Sequence, residues 1–355
     1  FSFMKMKKQI KYTYILMMLL VSFSVYSQDL HFSQYYMSPL TLNPAMTGLF
    51  NGNYRFTGNY RNQWQSVLPT VPFRTFAGSV DLSAKSGTYN RVGGGVHLFS
   101  DQAGSLNLAR TQVAGSVSYL LALSRNRDYF IAAGIQAAMN QSSFNYLNMT
   151  TGNQWTGNAF DANASTGEIF DGRSKSFASA NLGIMWYHIS NVRSFQYIGG
   201  SIHHINRPNI SLVPNSVDRL YTKYSVHAGA GFKVKPRFDL NPYMLTLIQG
   251  PSFELTSGIL GKFILDERKN SAFGGTAFYI GPFLRIVGDD ETNLSSDALI
   301  ISTKLDIDSF TFGLSYDINV SGLSPASSGR GGPEIALQYV GAFKSKPSKT
   351  FCPKF

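Results

Sequence analysis

From Asn53 to Arg61 the chain sets Tyr54, Phe56, Gly58 and Tyr60 on one parity and Arg55, Thr57, Asn59 and Arg61 on the other. Successive side chains of a strand point to opposite faces, so this segment makes one aromatic face and one polar face. The pattern recurs to the end of the chain. Val113, Gly115, Val117, Tyr119 and Leu121 alternate with Gln112, Ala114, Ser116 and Ser118. Phe310, Phe312, Leu314, Tyr316 and Ile318 alternate with Thr311, Gly313, Ser315, Asp317 and Asn319. Such strands either bury their apolar faces in a soluble sandwich or turn them to lipid in a membrane barrel.

Strand length and loop placement separate the two. Fourteen strands are expected near Asn53–Arg61, Thr75–Ser83, Arg91–Phe99, Leu106–Leu123, Tyr129–Asn140, Ser176–His188 and Phe195–Asn206. The rest lie near Tyr224–Val234, Leu240–Ile248, Ser252–Leu265, Ser271–Ile286, Asp297–Ile307, Phe310–Val320 and Pro333–Gly341, with Pro242 weakening the ninth. Many reach the ~9–11 residues that a tilted membrane strand needs. Connections after even strands are short, as at Lys235–Asp239 and Asp308–Ser309. Those after odd strands are mostly long, as at Gln141–Lys175 and Arg207–Lys223, with Ser100–Ser105 and Gln249–Pro251 as exceptions. Short turns on one rim and long loops on the other mark an outer-membrane barrel with its turns in the periplasm. The expected fold is therefore all-β, a transmembrane antiparallel β-barrel of about 14 strands. Its outer face meets lipid and its inner face is polar, with Tyr54, Tyr60, Tyr129 and Tyr316 in interfacial girdles.

The N-terminus fits export. Lys5, Lys7, Lys8 and Lys11 precede the apolar run Tyr12–Val21, and Ser22, Ser24 and Ser27 follow. That is the layout of a cleavable signal peptide, with cleavage expected after Ser27. Charged residues make up only 14% of the chain, far below the usual quarter of a soluble domain, while aromatics make up 14%. Removing the four signal lysines from the formal +11 leaves +7 for the mature chain. Its basic residues are scattered, so no nucleic acid is expected as partner; anionic lipid or an acidic partner fits better. The single Cys352 excludes an internal disulfide and a multi-cysteine metal site.

Residues 28–52 carry Phe32, Tyr35, Tyr36, Leu40, Leu42 and Phe50, interrupted by Pro39 and Pro44. The prolines forbid a regular ladder and the aromatics need burial. This segment, with Phe32, Tyr35, Tyr36, Pro39, Asn43 and Pro44, is expected to fold into or across the periplasmic mouth as a plug. The division is then 1–27 signal peptide, 28–52 plug or periplasmic segment, 53–341 barrel and 342–355 basic periplasmic tail. No catalytic constellation emerges, and no cofactor is expected. His203 and His204 are adjacent, so in a strand they face opposite ways and suit hydrogen bonding better than a shared metal. Gly93, Gly94 and Gly95 lie within a strand and lack the residues of a phosphate loop, which points to close packing. Asp289, Asp290 and Glu291 lack the spacing of an EF-hand.

The run Gln28-Asp29-Leu30-His31-Phe32-Ser33-Gln34-Tyr35-Tyr36-Met37-Ser38-Pro39-Leu40-Thr41-Leu42-Asn43-Pro44-Ala45 resembles the PorP/SprF family of Bacteroidota outer-membrane proteins. The resemblance continues at Tyr60–Trp64, Ser201–Pro208, Ser315–Pro325, Gly332–Leu337 and Cys352–Phe355. It departs after Trp64, where Gln65–Arg74 replaces the Gly-Ala-Pro-type segment often found there. The resemblance implies a non-enzymatic outer-membrane barrel serving type IX secretion and gliding. Partners it implies are the C-terminal domain of a secreted adhesin or other client, or periplasmic ring lipoprotein and peptidoglycan-associated subunits. Trp155, Phe160, Phe170, Arg207 and Tyr221 in the long loops are the expected client contacts, and Lys344, Lys346 and Lys349 the expected periplasmic ones. A diffusion channel is the rival from another class.

Overall fold

The computed structural model describes residues 29, 31–65, 73–87, 89–104, 106–124, 128–145, 149–167, 174–191, 193–213, 215–266, 275–288, 294–322 and 324–343. Its strands are β1 (Tyr54–Gln63), β2 (Phe73–Ser86), β3 (Asn90–Ala103), β4 (Leu108–Ala122), β5 (Tyr129–Ser143), β6 (Ser174–Asn191) and β7 (Ser194–His203). They continue as β8 (Lys223–Lys235), β9 (Phe238–Gln249), β10 (Ser252–Asp266), β11 (Thr276–Gly288), β12 (Ser295–Ile307), β13 (Phe310–Asn319) and β14 (Arg330–Gly341). Each pairs antiparallel with its neighbour in sequence, and β1 closes on β14 from Tyr54↔Gly341 to Arg61↔Glu334. The sheet is a closed fourteen-stranded barrel without edges, which is how strands satisfy their backbone in lipid.

The alternation read from the sequence sets the two faces. Ile135 is 61% exposed on the outer wall while the next residue, Gln136, is 4% exposed inside. Val113, Val117, Tyr119 and Leu121 project outward from β4, and Phe310, Phe312, Leu314 and Tyr316 from β13. Tyr129 at the start of β5 is exposed as well, and so are Tyr60 and Tyr316, each three residues inside its strand. No helix among the described residues is long and apolar enough to cross a membrane.

Prolines are absorbed by local lapses in pairing. Pro242 stands inside β9, where the ladder to β8 is broken between Gly229↔Tyr243 and Phe232↔Leu240. Pro282 stands in β11, where the ladder to β10 is broken between Gly258↔Phe283 and Gly261↔Ile280. Each proline lacks a backbone N–H, so its strand keeps register but loses bonds there.

The inner wall departs from the uniformly polar lumen expected. Buried charged side chains line the inner wall at both ends, but near the short turns they are joined by Leu120, Phe130, Tyr187, Ile189, Phe195 and Tyr197, which also point inward. They form one apolar cluster with Tyr35, Tyr36, Met37, Leu42, Ala45, Met46 and Leu49 of the N-terminal segment. Protein, not water, fills this part of the barrel, so the inner parity there is that of a packed core.

Candidate functional site

The segment from Asp29 to Gly52 occupies the lumen. It runs as three single helical turns, Tyr35–Met37, Pro39–Leu42 and Pro44–Met46, and both later turns begin with proline. Proline suits the first helical position because its missing N–H has no partner there in any case. Asn43 caps the last turn by accepting a bond from the Ala45 amide. Rather than lying across one mouth, the segment spans the barrel: Asp29 sits among residues at the long-loop rim and Gly52 reaches the short-turn rim.

At the short-turn end, Arg55 donates to both carboxylate oxygens of Asp81, at 3.0 and 2.7 Å, and to the Met46 carbonyl at 3.0 Å. Asp81 also accepts the Gly48 amide at 2.7 Å, and Arg55 lies over the Phe50 ring. Arg91 donates to the Gly52 carbonyl at 2.5 Å. Both members of the Arg55–Asp81 pair are fully buried, so wall and segment are locked through a satisfied ion pair.

At mid-height the wall is bare where the segment presses against it. A Cβ on Gly93 would overlap the Thr47 carbonyl, and one on Gly95 would press against Leu40 and Asp81. Gly134 meets the Pro44-Ala45 backbone in the same way, and Gly183 meets the Asn43 side chain and the Ala45 amide. The Asn43 amide donates to the carbonyls of Ile184 at 3.1 Å and Gly200 at 3.2 Å. Thus the glycine run of β3 is a seat for the inserted chain, in line with close packing and not with a phosphate loop.

Higher up, Glu334 accepts the Ser33 and Gln34 amides at 2.7 and 2.8 Å. Asp317 is held by Arg285 at 2.7 Å, Arg61 at 2.9 Å and the Ser33 hydroxyl at 2.8 Å, while His31 lies 2.8 Å from Glu254. At the long-loop rim Asp29 is bound by Arg110, by His204 Nε2 at 2.7 Å and by Lys223 Nζ at 3.4 Å. Its amide donates to Gln249 Oε1 at 2.7 Å. Burial alone would raise the Asp29 carboxyl, but Arg110, Lys223 and the His204 bond outweigh it and hold it well below the usual carboxylate range. Burial pushes the His204 imidazole down, against the pull of Asp29. A cavity of about 520 Å³ opens beside this group, roofed by Ile210–Val213 and Leu220 of the β7–β8 loop.

His203 and His204 do not face opposite ways. β7 ends at His203, and His204 has a left-handed backbone (φ 57°) that swings its ring inward as well. Both are buried, yet they take different partners: His203 contacts Ser201 at 2.9 Å, and His204 contacts Asp29. No group of metal-ligating side chains occurs among the described residues.

Phe32, Tyr35, Tyr36, Pro39, Asn43 and Pro44 are all buried in the lumen. Tyr36 stacks on Tyr243 and bonds Ser302 at 2.6 Å. Of the loop candidates, Trp155 and Phe160 face each other across an isolated bridge in the β5–β6 loop, 57% and 48% exposed. Arg207 is exposed on a left-handed turn (φ 42°), and Tyr221 lies over Gly250 of the β9–β10 turn. Phe170, Lys344, Lys346, Lys349 and the Asp289-Asp290-Glu291 cluster lie outside the described residues. Sequence reading missed Asp29, Arg110, Lys223 and Gln249 as a group. Parity places Arg110 inward, but only the fold brings it to Asp29.

Residues 24–339 match the model of a family described as type IX secretion system membrane protein PorP/SprF. No curated protein matches the chain. Among solved structures, a mutant of TodX, a monoaromatic hydrocarbon channel, aligns at TM-score 0.51 and 9% identity, over 86% of this chain and 94% of that one. The Ralstonia pickettii toluene transporter TbuX aligns at TM-score 0.45 and 10% identity, over 85% and 93%. BamA from Haemophilus ducreyi aligns at TM-score 0.41 and 7% identity, over 81% and 70%. At 9% identity the likeness to the TodX mutant speaks to the barrel fold alone.

Proposed function

Because the chain belongs to the PorP/SprF family of type IX secretion system membrane proteins, we propose that it is an outer-membrane adaptor that binds a secreted client and supports its export or surface anchoring. It works as an interaction protein and not as an enzyme or a pore. Short turns face the periplasm and long loops face the exterior. The carrying observation is the lumen itself: residues 29–52 run from rim to rim, held at each level by buried ion pairs and hydrogen bonds. So much packed protein inside the wall supports a closed lumen and leaves the outer loops as the adaptable surface. There the exposed Trp155–Phe160 hairpin supplies rigid aromatic contact area of the kind that dominates protein interfaces. Residues 28–52 act as a constitutive plug, and the basic tail from Lys344 meets periplasmic partners.

The test is purification of the barrel from its native membrane in mild detergent, with identification of what accompanies it. A large secreted protein should co-purify, and deleting the barrel should strip that protein from the cell surface. Copurification with periplasmic subunits alone would move the role to coupling the export machinery to the cell wall. Steady single-channel conductance from the intact chain would favour a transporter instead.

A further inference from the structure

The Asp29 site reads a peptide, and it does so with wall residues only. One side, Gln249 Oε1, takes the backbone N–H of residue 29; the other, Arg110, His204 and Lys223, takes the carboxylate of the same residue. Recognition of an amide and a side-chain carboxylate at fixed spacing is more than attraction of an anion. Gln249 is itself oriented, donating from Nε2 to the Tyr221 carbonyl at 3.3 Å. The His204 amide donates to Asn181 Oδ1 at 2.9 Å, and Arg110 lies over the Phe177 ring. These supports hold the polar groups in place.

The site is also only partly used. The cavity of about 520 Å³ extends past Asp29 beneath the β7–β8 loop, with Leu108, Ile210, Leu212 and Leu220 among its apolar lining. Asp101 and Asp218 line it as well, but Asp101 accepts from Thr75 at 2.8 Å and Asp218 lies on the exposed part of the loop. Among the described residues, Asp29 is the contact of the inserted segment nearest the outer rim. Below it come His31, 2.8 Å from Glu254 and with its carbonyl accepting from Arg61 at 2.8 Å, and then Ser33 and Gln34 on Glu334 and Ser33 on Asp317, so Asp29 can leave while these anchors hold the rest.

We infer that this cavity is a receptor for an acidic segment of a partner polypeptide, and that Asp29 is a built-in stand-in for that partner's carboxylate. This rests on the reading of the barrel as a client-binding adaptor and names the chemistry of the client: an Asp- or Glu-bearing extended stretch with apolar neighbours. Binding exchanges one carboxylate for another at Arg110, His204 and Lys223 and frees the head of the lumen segment. An occupied site therefore differs from an empty one at the outer rim, while the deeper anchors stay in place.

The experiment uses the full mature chain in detergent and a labelled peptide copying Gln28–Phe32 as the probe. Asp29→Asn removes the resident carboxylate and should tighten the peptide by about ten-fold, equivalent to ~1.4 kcal/mol. Adding Arg110→Gln should abolish the gain, and the Asn counterpart of the peptide should bind weakly to every variant. Unaltered peptide affinity in a folded Asp29→Asn barrel would overturn the inference. So would competition by acetate or inorganic phosphate as effective as the peptide, since charge alone would then suffice. On the unaltered chain, a photoreactive form of the peptide should cross-link within residues 204–223, and cross-linking confined to other regions counts against the site. Failure here leaves client co-purification untouched, and absence of a client leaves peptide affinity measurable, so the two readings fail separately.

Discussion

Arg55 and Asp81 lie on neighbouring strands, fully buried, and share their hydrogen bonds with Gly48 and Met46. Removing one partner of such a pair strands the other charge without water, at a cost of ~3–5 kcal/mol. Arg55→Ala should therefore lower the unfolding midpoint in urea markedly, whereas Arg55→Met with Asp81→Leu should recover much of the loss. At the other rim, Asp29 titrates well below an ordinary carboxyl. Its folded value is depressed, so its contribution is complete above the unfolded value of about 3.9 and disappears as pH falls through the folded value. Limited proteolysis of the segment's head should be least at neutral pH, increase modestly below about pH 6.5 because the buried His204 resists the proton that it takes up once released, and increase steeply below about pH 4 as Asp29 is protonated. A flat profile down to about pH 3 would show that neither group holds the latch.

Among the elements, the strands were legible because one parity meets lipid, which leaves a period of two over long runs. β9 survived Pro242 because closure fixes its neighbours and only the lost donor shows, as a lapse against β8. What parity cannot say is what covers the inner face. Phe130, Tyr187 and Phe195 sit on the inner parity, and their partners lie in residues distant in sequence. The aromatics and prolines of 28–52 signalled burial, but their rim-to-rim course depends on wall glycines whose role appears only in three dimensions. At Asp29 the partners Arg110, His204 and Lys223 come from three separate elements, so no local pattern announced them. The seat itself is testable. A Cβ at Gly93 would overlap Thr47 and lie 2.6 Å from the Ser118 hydroxyl. Gly93→Val should cost ~1–3 kcal/mol as overpacking. Its signature is a lower heat-unfolding temperature on gels with the barrel still formed.

For the whole molecule, an N-terminal segment threaded through a closed wall makes the pore and its contents one cooperative object. Deleting residues 29–52 takes away the apolar partners of Phe130, Tyr187 and Phe195, the Met46 carbonyl that Arg55 binds and the Ser33 and Gln34 amides that Glu334 accepts. Any barrel that survives should conduct ions in a planar bilayer, while the intact chain stays silent; equal conductance from both would show that the segment blocks nothing. Stability should fall together with the appearance of current, since one set of contacts underlies both.

The rim-to-rim course of that segment also bears on how the ring is assembled. Asn53 donates to the Gly341 carbonyl and β1 then zips to β14, so the stave that begins the ring is joined directly to the rope passing through it. A hoop already sealed would have to be threaded from below by a strand carrying a charged head. A sheet that curls around the rope and fastens its last seam afterwards avoids that passage, and in such a sequence the seat serves as a mould for the ring as well as its filling.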